Sequence, residues 1–355
     1  TLLYGSGAVG GVVNVIDNRI PSRLAESPEL QVEQSHNSVN DENKTVFRLD
    51  AASGSLGFHL DGFKRKNNNF EVKGFAIDEF AVEALEELVA TRLDNESFEG
   101  EHLDEEFSNT KGYIENSSAE ASGGTAGFSY VTDRGLIGFS ISELENNYGL
   151  PPGAHAHGEH EEDEEEDHDG SEEEVEFVRI NMNQTRYDFK GELSFSNSWI
   201  ESLNANIGIT DYQHKELENF ENGATEVGTL FKNRGAESRF TLNHAPIGDW
   251  AGVWGLQLSN TDFSAIGEEA FVPKSEIEAQ GLFGVERFTR GNLTGELGLR
   301  LERNRIDAGG VCDFNETSNS FSGSLLYDVT TQSNLLFSVA RSQRAPSVEE
   351  LYSNV

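Results

Sequence analysis

One cysteine, one methionine and seven prolines are scattered over 355 residues, and basic residues are scarce, 26 Lys and Arg against 63 Asp and Glu. A lone Cys312 allows no internal disulfide and no zinc–thiolate cluster. A formal net charge of −37 repels phosphate and argues against a nucleic-acid partner. No apolar run approaches the roughly 20 residues of a membrane-crossing helix, and mean hydropathy is −0.51. These absences leave a transmembrane β-barrel open, because its strands alternate lipid-facing apolar with lumen-facing polar residues and average to a hydrophilic sequence. The chain holds no Gly-x-Ser-x-Gly elbow, no His-Glu-x-x-His and no convincing nucleophile–base pair, so it reads as no enzyme. It begins at Thr1 with neither an initiator Met nor a signal peptide and reads as a fragment, which makes the missing signal silent about location.

What is present is glycine, 36 residues, with aromatics at 10%, in short alternating runs that suggest an all-β protein. Leu56, Phe58 and Leu60 fall on one face of a strand and His59 and Asp61 on the other; Leu297, Leu299 and Leu301 oppose Glu296, Arg300 and Glu302 in the same way. A sandwich core has the same period. Thirteen strands are expected, near 30–37, 45–52, 55–66, 123–132, 135–144, 176–190, 199–212, 231–244, 250–262, 276–289, 292–305, 317–328 and 332–341. Tight turns fall on every second connection. Apart from a short link at 38–44, the others are longer loops at 67–122, 145–175, 213–230, 263–275 and 306–316. Sorting short turns to one rim and long loops to the other is the layout of an outer-membrane barrel. Within the first long loop, residues 78–92 have helical spacing and predict a short helix.

Residues 155–176 carry the narrowest chemistry. His155, His157, His160 and His168 lie among thirteen carboxylates with no Lys or Arg. Neutral imidazole suits first-row transition metals, and carboxylates add harder ligands and a field that concentrates cations. In an extended loop His155 and His157 point the same way, and His160 closes a three-nitrogen set if the chain turns at Gly158. Glu159, Glu161 or Asp163 then supplies a fourth ligand. The plain alternative is a solvated acidic loop. Chelation by a loop costs conformational entropy, so a first-contact site of modest affinity is expected, with protons competing below about pH 6.5.

Tyr4 to Ile16 formally contains Gly5-x-Gly7-x-x-Gly10, but Val12, Val13, Val15 and Ile16 continue as a β run where a dinucleotide fold would open a helix. The segment LLYGSGAVGGVVNVI resembles the end of the plug domain of TonB-dependent outer-membrane receptors. Arg341 to Tyr352, RSQRAPSVEELY, resembles that family's mid-barrel signature. Five further stretches look like its zinc-uptake branch: Tyr148-Gly149-Leu150-Pro151 before the His/acid run, Asn181 to Asp188, Asp211 to Glu216, Asn243 to Pro246 and Ala265 to Pro273.

The resemblance implies residues 1–22 as the end of a plug and 23–355 as the first part of a lipid-embedded antiparallel barrel of about 22 strands. It implies the outer membrane of a Gram-negative bacterium, energy from the inner-membrane TonB complex, and import of a scarce metal. Zinc is the expected cargo, and no cofactor is required. Two further candidate ligand sets lie on the barrel. His214 and Glu216 share a strand face at i, i+2 near its outer end, which is either chelating geometry or an ordinary polar rim pair, and Glu268 and Glu269 occupy an acidic loop like that of the zinc branch. His244 lies by a short turn and reads as structural; His36, His59 and His102 read as isolated. The rivals are a receptor for a siderophore, haem or cobalamin with a merely solvated loop, and a soluble β-sandwich that binds calcium or mediates adhesion.

Overall fold

A computed structural model describes residues 2–3, 5, 12–78, 80, 109–151, 175–196, 198–220, 222–267, 270 and 272–353. The alternating runs become strands, because a period of two puts every second side chain on one face. They are β1 (Glu29–Asn37), β2 (Glu42–Ser53), β3 (Leu56–Asn67), β4 (Glu71–Phe75), β5 (Lys111–Tyr113), β6 (Ala119–Thr132), β7 (Gly135–Gly149) and β8 (Val175–Ser194). There follow β9 (Ile200–Phe220), β10 (Thr225–Ile247), β11 (Trp250–Gly267), β12 (Ser275–Arg290), β13 (Leu293–Ala308), β14 (Phe314–Thr330), β15 (Ser333–Arg341) and a short helix, α1 (Val348–Tyr352). All but β4 and β5 form one 13-stranded antiparallel sheet in which each strand pairs with its neighbour in the chain; β4 and β5 make a separate ribbon. No described helix is long and apolar enough to cross a membrane, which says nothing of strands.

Burial is inverted relative to a water-soluble sheet. On β13, Leu297, Leu299 and Leu301 are about half exposed at 55%, 52% and 45%, while Arg300 and Glu302 between them are buried at 3% and 6%. Tyr130, Ile137, Phe240, Trp254, Leu282 and Leu325 repeat the exposed pattern on the same face. A large continuous apolar surface turned outward, backed by charged residues turned inward, is the lipid-facing arrangement and overturns the β-sandwich alternative.

Residues 2–3 and 17–24 lie along the inward face. The latter touch β2, β3, β6, β7 and β8 and the former β10 and β13, so the sheet curves around them. The expected β run at 12–16 forms no strand; Val13 and Ile16 are 92% and 86% exposed, since a single extended segment without a partner makes no ladder. The expected helix at 78–92 falls almost wholly outside the described residues.

All thirteen expected strands are present, and most run further than expected at their outer ends. The loop expected at 213–230 shrinks to 221–224, that at 263–275 to 268–274, and that at 306–316 to 309–313. Beyond the apolar band both faces of a strand are polar, so the chain continues as paired β-structure without the alternation that marks a strand in sequence.

Candidate functional site

The outer half of the inward wall gathers stretches that are far apart in sequence. Asn181 to Asp188 on β8 pairs directly with Asp211 to Glu216 on β9, with Met182 opposite His214, Ile180 opposite Glu216 and Gln184 opposite Tyr212. The next strand brings Phe231 opposite His214 and Thr229 opposite Glu216, and β11 then sets Ala265 beside Phe231. On the other flank β7 places Tyr148 opposite Ile180 and Asn146 opposite Met182. Three inward-facing rows result, and the middle one runs Asn146, Met182, His214, Phe231, Ala265. Antiparallel pairing at one register assembles them, as each stretch presents alternate residues to the lumen.

His214 is the imidazole on this wall. Its ring stacks on Phe231 with centroids 4.5 Å apart and an interplanar angle of 24°. The Tyr212 hydroxyl lies 2.9 Å from Nδ1. When Nδ1–H donates to that hydroxyl oxygen, the lone pair of Nε2 is presented to a cation, the second-partner arrangement that fixes metal-binding imidazoles. Two buried oxygens beside the rows, Asn146 Oδ1 and Thr229 Oγ1, make no hydrogen bond, and Thr229 is wholly buried. Orphaned buried acceptors are rare and mark places where an ion or water is received. Among the described residues no three His, Cys, Asp or Glu side chains converge as a complete metal site. The wall therefore offers a partial ligand set of one imidazole, one carboxylate at Glu216 and neutral oxygens.

His214 and Glu216 do share one face, as expected, but they are interior to β9, which continues to Phe220, rather than at its end. Glu218, next on that face, is 9% exposed and folds over Gly228, where a Cβ would overlap its carboxylate. His155, His157, Glu159, His160, Asp163 and His168, with Glu268 and Glu269, lie outside the described residues. The roots of the His-rich loop are described: β7 ends at Gly149, β8 begins at Val175, and Leu150 N donates to Val178 O at 3.0 Å. The loop is thus anchored immediately above the Tyr148–Ile180 pair that tops the rows.

A second polar group, unforeseen, lies near the opposite rim. His59 is not isolated: Nδ1 is 2.8 Å from Asp50 and Nε2 is 2.7 Å from Asp61, and the side chain is 5% exposed. Asp50 also accepts from Arg48 and from Asn18, the latter at 2.7 Å, which ties residues 17–24 to β2. Ser129 Oγ donates to Pro21 O at 2.6 Å and Arg19 Nη1 to Asp188 at 3.0 Å. Gly127 and Gly138 open the trough; a Cβ at either would overlap the Arg19 carbonyl or the Ile20 side chain. Burial works to raise the Asp17 carboxyl, but its bonds from the Arg19 side chain and backbone N–H outweigh this and hold it below its ordinary range. The signal in sequence was Asp50, His59 and Asp61 on inward positions of adjacent strands, invisible until the β2–β3 register is known.

The RSQRAPSVEELY stretch builds a clip on the outer rim. Arg344 donates to both carboxylate oxygens of Glu350 at 2.7 and 2.6 Å, and Ser347 and Glu350 form a capping box at the start of α1. Val348 then packs with Val272 and Ile306, and the Tyr352 hydroxyl donates to Cys312 O at 2.7 Å. The motif pins α1 across the β11–β12 and β13–β14 connections.

Residues 109–355 match the family model of the TonB dependent receptor-like β-barrel. Among solved structures the chain is similar to the copper transporter OprC, with a TM-score of 0.65 at 11% identity over 94% of this chain and 48% of that one. It is similar also to the FrpB iron transporter of Neisseria meningitidis, 0.66 at 10% identity over 94% and 48%. The ferric enterobactin receptor PfeA of Pseudomonas aeruginosa gives 0.60 at 13% identity over 99% and 48%. The chain spans about half the length of the structures it matches.

Proposed function

Because the chain belongs to the TonB-dependent receptor-like β-barrel family, we propose that it is part of an outer-membrane receptor that captures zinc and passes it toward the periplasm. In this reading residues 1–22 are the end of the plug, residues 23–355 the first part of the barrel, and the TonB complex supplies the energy. The inverted burial of the sheet supports immersion in lipid, and the unpaired outer edges of β1 and β15 are the places where further strands would close the barrel.

The observation that carries the metal reading is His214. It stands on the inward face with Nδ1 bonded to Tyr212, Glu216 shares its face, and the row lies directly beneath the root of the loop that bears His155, His157, His160 and His168. Loop imidazoles with Glu159 and Asp163 act as the antenna; His214 and Glu216, with Glu268 and Glu269 on the neighbouring loop, receive the ion. Zinc takes nitrogen and carboxylate ligands in this mixture, whereas calcium prefers oxygen alone. Zinc here is cargo, and nothing covalent happens to it.

Zinc titration of the full-length receptor in detergent tests this. Replacing His155, His157, His160 and His168 together by Ser should abolish the weak sites, and His214→Ala should lower the tighter affinity by about tenfold or more. Unchanged zinc binding and uptake in both variants would leave the acidic loop a solvated surface and favour a receptor for a metal complex.

A further inference from the structure

The outward face holds an ion pair where lipid is expected. On β10 the His244 side chain is only 8% exposed, with Nδ1 2.8 Å from Ala245 O and Nε2 3.1 Å from Glu286 on β12. Glu286 also accepts from Trp254 Nε1 at 2.8 Å. Trp254 is half exposed and lies on the same face as Leu256 and Leu282, so the group belongs to the lipid side of the wall. Charged side chains on that face are costly at mid-membrane and tolerated near the interface.

Three features show that the group is built. A Cβ at Gly252 would stand 2.5 Å from the Glu286 carboxylate, and one at Gly284 3.0 Å from the Trp254 ring, so these glycines make the space in which carboxylate and indole meet. The β9–β10 ladder skips one residue between Asn243 and His244, leaving Glu201 as the extra residue of a bulge, between the residues opposite those two. All three tryptophans of the chain, Trp199, Trp250 and Trp254, sit at this end of β9 to β11, near the short turns. A cluster of amphipathic indoles marks the membrane–water interface.

Beside the group, with Trp254 in its wall, lies an open apolar hollow of about 740 Å³ on the outward face, lined also by Leu203, Phe240, Leu242 and Leu256. Nearer the rim, Arg290 is 85% exposed, 3.9 Å from Asp249 in the neighbouring turn. The group thus offers two carboxylates against one imidazole, with an exposed guanidinium toward the rim and an apolar bed beside it.

We infer that this is a headgroup-selective site for a zwitterionic aminophospholipid of the periplasmic leaflet. The ammonium of an ethanolamine headgroup meets Glu286 and Glu201, its phosphate meets Arg290, and its acyl chains lie in the hollow. An anionic glycerol headgroup lacks the ammonium and meets a net-negative cluster instead. The site is independent of metal capture.

Native mass spectrometry of the full-length receptor, exchanged into detergent with equal phosphatidylethanolamine and phosphatidylglycerol, tests it. The wild type should retain the ethanolamine lipid about fivefold over the glycerol lipid, and Glu286→Gln should bring that ratio to about one while its zinc titration stays as in wild type. Equal retention of both lipids by the wild type overturns the inference, as does undiminished selectivity in Glu286→Gln. Should Glu286→Gln fail to give the heat-modifiable gel mobility of a folded barrel, the wild-type ratio decides alone. A failed zinc titration leaves this selectivity untouched, so the two readings stand or fall separately.

Discussion

His59 and His214 both face the lumen, near opposite rims, and differ in what their second nitrogen does. His59 is saturated, with a carboxylate on each nitrogen and Asp50 further bound by Arg48 and Asn18. Among the described residues His214 has a hydrogen-bond partner at Nδ1, Tyr212, and none at Nε2. The first joins the wall to residues 17–24, which Ser129 and two glycines seat in a trough. The second stands among orphaned acceptors beneath the root of an acidic loop. A polar group that has spent all its partners holds structure; one with a partner to spare can bind.

The strongest way to break this contrast is His59→Leu. Removing the shared donor takes one of three donors from buried Asp50 and the imidazole partner from Asp61, and the loss of two bonds to carboxylates should cost about 3–5 kcal/mol, read as a lowered midpoint in denaturant unfolding of the detergent-solubilised receptor. His214→Leu should cost far less, and equal losses would erase the distinction. Next in size is Gly127→Ala, whose methyl group overlaps the Arg19 carbonyl and should cost about 1–3 kcal/mol, with proteolytic cleavage appearing within residues 17–24. If that segment stays protected, the trough is not what seats it.

Tyr212→Phe sharpens the other side. It removes the group that orients His214 and should weaken zinc by about tenfold while leaving the unfolding midpoint nearly unmoved. A midpoint shift without an affinity change would make His214 structural as well. Zinc binding as a whole should fade below about pH 6.5 as imidazoles protonate, a profile that calorimetry at several pH values reads directly.

The smallest effect concerns the Arg344–Glu350 clip. The Arg344 guanidinium, with the Ser347 N–H, pulls the Glu350 carboxyl down to about 2 from an ordinary 4.5. A depressed carboxyl contributes stability that is complete above pH 4.5 and lost as pH falls toward 2. The pair is exposed, so salt should mask the contribution. Arg344→Ala should therefore differ slightly from wild type at pH 6 and low salt and match it near pH 2; a difference that persists at low pH would assign the clip to packing of Val348 instead.

The thirteen strands of the large sheet, their order and the sorting of turns were legible because each depends on local alternation and turn residues, whereas β4 and β5, inside the expected loop 67–122, were not. The outer extents of β9, β10 and β11 were not, since both faces are polar there and alternation vanishes. Likewise the pair His214 and Glu216 was legible from i, i+2 spacing, but Phe231, Asn146 and Thr229 join it only through register across three strands. His59 looked isolated for the same reason: Asp50 is nine residues away in the chain and one strand away in space.

The sequence by itself determined an all-β, acidic chain whose alternation requires one oily and one wet face, and it determined where imidazole and carboxylate are concentrated. Only the tertiary structure decided which face is which. Leu299 could have been core and Arg300 surface, as in a soluble sheet; curvature of thirteen strands around residues 2–3 and 17–24 turned Arg300 inward and left Leu299 outside. Alternation sets the difference between two faces, but the sign of that difference belongs to the curved sheet.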